Sequence, residues 1–186
     1  MNDLILTADQ YDKVVSECRK TFLQKTADYG TSWRVYRTIS IADQIYIKAR
    51  RIRNIQEKKE QKITDGIKSE FEGILNYGII GLIQLDLNND ETEQLALDAV
   101  ALFYDEKAVK AKTLMLDKNH DYGEAWREMS QESFADLILA KILRIKQIVA
   151  NEGITIVSEG IASNYFDIIN YAVFALILIN EKNHSD

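Results

Sequence analysis

The chain has 186 residues, 46% of them hydrophobic and 28% charged, a net charge of −6 and no proline, where average usage of about 5% would give roughly nine. This composition excludes disordered, collagen-like and proline-rich classes, and the acidic balance has the wrong sign for neutralising a nucleic-acid backbone. The lone cysteine, Cys18, excludes an intrachain disulfide framework and a cysteine-based zinc site; residues 1–10 lack a basic stretch ahead of their apolar residues, so a cytoplasmic protein is expected.

Proline is excluded where backbone N–H donors are needed throughout, so long helices with short connections are expected. The first helix is expected over about 8–25, with Tyr11, Val14, Val15, Cys18 and Phe22 on one stripe and Thr7 and Gln10 spaced as a capping box. Asp28-Tyr29-Gly30 reads as its end, glycine taking the left-handed position past the last turn, with Trp33 as a core plug. A second helix is expected over about 40–59 with Ser40 as N-cap, and a third over about 65–85. An Asn- and Asp-rich turn at 87–91 leads to a fourth helix over about 93–116, expected to be broken or bent. A fifth over about 133–151, with Ser133 as N-cap, and a sixth over about 157–180 complete the chain. The longest apolar stretch, 168–179, holds Asn170 and is too short to cross a bilayer.

These elements are two copies of one unit. Lys25, Asp28, Tyr29, Gly30, Trp33 and Arg34 recur 93 residues later as Lys118, Asp121, Tyr122, Gly123, Trp126 and Arg127. The same offset pairs Ser40 with Ser133, Asp43 with Asp136, Lys48 with Lys141 and Arg51 with Arg144. After a one-residue shift, Gly66, Ile74, Asn76 and Tyr77 match Gly160, Ile168, Asn170 and Tyr171. The expected architecture is therefore an all-α bundle of two three-helix repeats, 1–87 and 88–186. Each is marginal alone in size, so the two are expected to fold against each other as one unit with pseudo-twofold symmetry.

Polar residues sit on helices that are otherwise apolar. On 133–151, Ser133, Asp136 and Arg144 share a sector flanked by Lys141; on 157–180, Asn164, Asp167, Asn170 and Tyr171 share a stripe. Charges on a buried helix must be paired or face a site. One reading is a structural network, Asp43 with Arg51 and Asp136 with Arg144. The other is a pocket between helices in which carboxylates hold a hard cation and basic groups meet phosphate oxygens. No glycine-rich phosphate loop is present. His120-Asp121 lacks the further histidines of a metal phosphohydrolase, since His184 lies in a polar tail.

The pattern K-x-x-D-Y-G-x-x-W, then S-x-x-D-x-x-x-x-K-x-x-R-I, then N-Y on an apolar helix resembles the nucleotide-modification-associated all-α family, grouped with the MazG-like NTP pyrophosphatases. The resemblance covers about 25–85 and 118–180. It implies a MazG-like helical fold and Mg²⁺-dependent cleavage of (deoxy)nucleoside triphosphates, with Mn²⁺ as a substitute ion. It also implies a small-molecule nucleotide partner, and the repeat implies a monomer acting as a pseudo-dimer or a homodimer; the acidic charge and the short apolar stretch lead to the expectation of no membrane or nucleic-acid partner. The superfamily's Glu-x-x-Glu falls on Ser40 and Asp43 and on Ser133 and Asp136; its Glu-x-x-Asp falls on Glu70 and Gly73 and on Asn164 and Asp167.

Asp43, Glu70, Asp136 and Asp167 are thus the implied metal ligands, with Asp43 and Asp136 catalytic, and Lys48, Arg51, Lys141 and Arg144 the implied phosphate-binding groups. Implied nucleotide contacts are Lys25, Asp28, Tyr29, Trp33, Asn76 and Tyr77 in the first repeat. In the second they are Lys118, Asp121, Tyr122, Trp126, Asn164, Asn170 and Tyr171. The alternative is a non-catalytic nucleotide-binding or interaction module with degenerate metal sites.

Overall fold

The computed structural model describes residues 2–58, 66–157 and 159–182. Among them the chain is all helical, with no strand. The order is α1 (Asn2–Tyr29), a 3-10 turn (Ser32–Val35), α2 (Thr38–Lys58), α3 (Ile67–Asp86), α4 (Leu97–Tyr122), a second 3-10 turn (Ala125–Glu128), α5 (Gln131–Ala150) and α6 (Ile161–Lys182). His184 and the 59–65 connection lie outside the described residues.

Gly30 and Gly123 end α1 and α4 with φ of +71° and +62°, the left-handed region expected of them. Trp33 and Trp126 follow, both buried. Several expectations need correction. Helix α4 is continuous, since no glycine or proline interrupts 97–122. Thr7 and Gln10 lie inside α1 and form no capping box. Ser40 and Ser133 lie inside the first turns of α2 and α5. At α5 the extended N-cap residue is Ser130, whose hydroxyl is 2.9 Å from that of Ser133. Helix α6 begins at Ile161, leaving Val157 in an exposed loop.

Helix α3 packs on α6, α2 on α5 and α1 on α4, so each helix meets its counterpart from the other repeat. At the α3–α6 crossing a Cβ on Gly81 would lie 2.6 Å from the Tyr165 ring, so only glycine permits this approach. The core joins Tyr11, Phe22, Trp33, Ile45 and Phe71 with Tyr104, Trp126, Phe134, Ile138 and Tyr165. On length and composition Ile161–Glu181 is apolar enough to cross a membrane, and 72% of that window is buried inside the bundle.

The contacts between repeats come in matched pairs. Arg19 bridges Asp105 at 2.6 Å, and Lys112 bridges Asp12 at 2.6 Å. The Tyr11 hydroxyl donates to Asn170 Oδ1 at 2.8 Å, and Tyr104 donates to Asn76 Oδ1 at 2.9 Å. Asn170 Nδ2 in turn donates to the Ala111 carbonyl, and Asn76 Nδ2 to that of Cys18. Asp43 bridges Lys146 at 2.5 Å, and Asp136 lies 3.5 Å from Arg53. The expected pairs Asp43 with Arg51 and Asp136 with Arg144 are therefore replaced by bridges across α2 and α5. Eight residues along one helix span about 12 Å, more than such a pair can close.

Candidate functional site

In the first repeat the C-terminal end of α1, the Trp33 turn, α2 and α3 enclose a cavity of about 480 Å³. The turn is held over it by Arg34 and Gln84. Arg34 donates to Gln84 Oε1, to the Asp90 carbonyl and, at 2.9 Å, to the Thr92 carbonyl. Gln84 Nε2 donates to the carbonyls of Arg34 and Tyr36 at 3.0 and 2.9 Å. Thr31 ties the same turn to the segment before α4, its hydroxyl donating to the Glu93 carbonyl at 2.7 Å.

The cavity is lined by aromatic rings, Tyr29, Trp33, Tyr36 and Tyr77, together with Lys25, Lys48, Asn76, Glu70 and Glu72. The Trp33 indole N–H is buried and has no hydrogen-bond partner. Glu70 is buried and accepts from Lys48 at 3.3 Å and from Arg51. The Lys48 stem crosses Gly73, where a Cβ would stand 2.9 Å from Cε, and its Nζ lies 6.0 Å from the Tyr77 ring centre. Lys25 makes no ion pair among the described residues. Burial, and then Glu17, hold the Glu72 carboxyl above its ordinary range against the pull of Lys68 and Lys25. Burial also raises the Tyr77 hydroxyl, with Tyr36 adding to it.

The second repeat places the same cations differently. Asp167, at the position matching Gly73, is buried and accepts from Lys118 at 2.6 Å and Lys141 at 2.5 Å, the counterparts of Lys25 and Lys48. Burial raises its carboxyl, but the two lysines outweigh that and hold it below the usual range. Asn164, matching Glu70, turns back to the Gly160 carbonyl. Arg127 grips the α1 side instead, donating to Gln10 at 2.7 Å, Thr7 at 2.6 Å, Glu181 at 2.9 Å and Glu124 at 2.5 Å. Trp126 stacks on Phe174 at 4.3 Å.

The structure therefore brings together Lys25, Tyr29, Trp33, Lys48, Glu70, Asn76 and Tyr77, and Arg51 joins them through Glu70. Asp28 and Asp121 are exposed and outside the cavity, and Tyr122 is exposed beside Leu6 and Arg127. Asn170 is committed to Tyr11, and Tyr171 is half-buried beside Asp167. Arg144 is exposed and, with Lys141 and Asn164, lines a second groove along α5 and the 154–157 loop. The sector of α5 read as a buried polar stripe faces solvent: Asp136, Ala140, Leu143 and Arg144 are all exposed. Tyr36 and Glu72 also line the cavity; their counterparts are Met129 and Phe166, so the repeat leaves no mark on these two positions.

Asp43 and Asp136 sit on the outer α2–α5 face, bridged to the other repeat, apart from the Glu70 cavity and from Asp167. Among the described residues no three Asp, Glu, His or Cys side chains stand together as a metal-binding group. The four implied Mg²⁺ ligands do not meet at one place: Asp43 and Asp136 face the α2–α5 bridges, while Glu70 and Asp167 lie in different repeats, each held by two cations. Cys18 is buried on the apolar face, and burial pushes its thiol up to about 12, the behaviour of an inert core residue.

The family described as nucleotide modification associated domain 1 matches the chain twice, over residues 25–85 and 118–179. No curated protein and no solved structure matches it.

Proposed function

Because the chain belongs to the nucleotide modification associated domain 1 family, we propose that it binds a small-molecule nucleotide in the first-repeat cavity, as a module of nucleotide processing. The observation that carries this is the meeting of two lysines with five aromatic rings, Phe22 among them, in one space of about 480 Å³, within the usual size of ligand pockets. Rings at Tyr29, Trp33, Tyr36 and Tyr77 supply stacking surface for a base, and Lys25 and Lys48 supply charge for phosphate. The matched bridges and hydrogen bonds between repeats support packing about a pseudo-twofold axis, with the second repeat standing where a partner subunit would in a MazG-like dimer.

Mg²⁺-dependent pyrophosphohydrolysis of NTPs or dNTPs is the second reading, and it has one observation of its own: Glu72 shares the cavity with Glu70. Titration calorimetry with the four NTPs and four dNTPs, with and without Mg²⁺ or Mn²⁺, tests binding; release of pyrophosphate in the same mixtures tests turnover. Binding of at least one nucleotide that falls tenfold or more in Lys25→Ala supports the proposal, and no binding by any of the eight overturns it. Turnover lost on Glu70→Gln and Glu72→Gln, yet kept on Asp43→Asn with Asp136→Asn, would establish the second reading at this cavity.

A further inference from the structure

The two repeats carry the same two lysines near a buried carboxylate, but that carboxylate stands one helical turn apart. In the first repeat it is Glu70, which accepts from Lys48 and Arg51 and leaves Lys25 without an ion pair among the described residues, on the cavity wall that Gly73 and the Lys48 stem lying over it also line. In the second it is Asp167, gripped through both oxygens by Lys118 and Lys141, at 2.6 and 2.5 Å. A carboxylate bridging two lysine ammoniums is the arrangement a phosphate would make between them. We infer that Asp167 is an internal substitute for the ligand's anionic group. The second repeat is a self-occupied copy of the site, and the chain holds one nucleotide, its phosphate between Lys25 and Lys48 in the cavity that both line. This rests on the nucleotide reading of the first cavity and adds stoichiometry and phosphate position to it.

Two substitutions exchange the states. Gly73→Asp places a carboxylate where Asp167 stands in the other repeat. The group it meets first is the flexible end of Lys48 rather than backbone, and the helix conformation there is an ordinary one. Asp167→Gly removes the internal anion and empties the space between Lys118 and Lys141; Asp167→Ser is the second variant if the first unfolds.

The measurement is titration calorimetry with two probes, inorganic pyrophosphate and the eight NTPs and dNTPs, after a thermal melt confirms a folded state. The expected result is one pyrophosphate per wild-type chain, at least tenfold weaker binding in Gly73→Asp, and two per chain in the Asp167 variants. Stoichiometry staying at one in a folded Asp167 variant, or unchanged affinity in Gly73→Asp, overturns the inference even where nucleotides bind. Pyrophosphate following the expected pattern while no nucleotide binds upholds the internal anion and overturns the nucleotide reading. No binding of either probe to the wild type overturns both.

Discussion

The hydrogen bonds that cross between repeats give a test with unequal expected effects from chemically equal substitutions. Tyr11→Phe and Tyr104→Phe each delete one hydroxyl donating to an asparagine of the opposite repeat. The acceptor left by Tyr11→Phe is Asn170, 5% exposed, whereas that left by Tyr104→Phe is Asn76, only half-buried and open to the cavity. A buried acceptor left unmet costs about 1–3 kcal/mol, while one that water reaches loses only the net bond, about 0.5–1.5 kcal/mol. With mid-range costs of about 2 and about 1 kcal/mol and about 2–4 °C per kcal/mol for a chain of this size, Tyr11→Phe should lower Tm by about 4–8 °C and Tyr104→Phe by about 2–4 °C. Urea titration followed by tryptophan fluorescence checks the free energies. One tryptophan lies in each repeat, so Trp33→Phe and Trp126→Phe backgrounds report the repeats separately. A single unit requires both to unfold at one midpoint with an unchanged slope. Separate midpoints, or a Tyr104→Phe cost equal to or above that of Tyr11→Phe, would refute the reasoning.

Two further outcomes are expected. The Tyr165 hydroxyl is buried without a partner, and its counterpart is Phe71. Tyr165→Phe should therefore be neutral or stabilise by up to about 1 kcal/mol, and a loss beyond that in the same urea titration would show that the hydroxyl is satisfied. Glu72, with its carboxyl held above the ordinary range by burial, loses its charge as the pH falls from 7 into that raised range. The cavity then becomes more positive, and nucleotide affinity should rise about three- to fivefold, equivalent to about 0.6–1 kcal/mol. Glu72→Gln should match the low-pH affinity throughout. The ratio of the two proteins' Kd values cancels the titration of the ligand's own phosphate, and a ratio constant between pH 5 and 7.5 would exclude the Glu72 effect.

How far the sequence reveals the structure follows from what a repeat records. Glycine at 30 and 123, the buried tryptophans and the apolar stripe of α1 are legible because each serves a local need, a positive φ or one face of a helix. Partners of charges are not. Asp43 and Asp136 find Lys146 and Arg53 on the neighbouring helix, and only the packing of α2 on α5 brings them there. Periodicity likewise cannot say which apolar positions stay outside. Leu143 is 57% exposed, and its sector of α5 carries Asp136 and Arg144 into solvent. In the cavity, recurrence finds Lys25, Trp33, Lys48, Asn76 and Tyr77, the parts both repeats share. Tyr36, Glu72 and Gly73 differ between repeats, so recurrence passes over the residues by which the two sites have diverged.

That divergence has an energetic logic. Two ammonium groups close together and partly buried repel unless an anion lies between them, and removing one partner of a buried pair is costlier than never having built it. In the second repeat Asp167 supplies the anion permanently, so Lys118 and Lys141 stabilise the bundle whether or not anything is bound. In the first repeat Glu70 meets only part of that need: it accepts from Lys48 and Arg51, while Lys25, exposed at the cavity, has no ion pair among the described residues. On the proposed reading the remainder comes from the ligand, so occupancy and stability are linked there, by about 2.7 kcal/mol at a hundredfold excess over Kd. A chain with two open copies would carry that deficit twice when empty. One copy closed by its own carboxylate leaves a firm half against which the open one is held in shape.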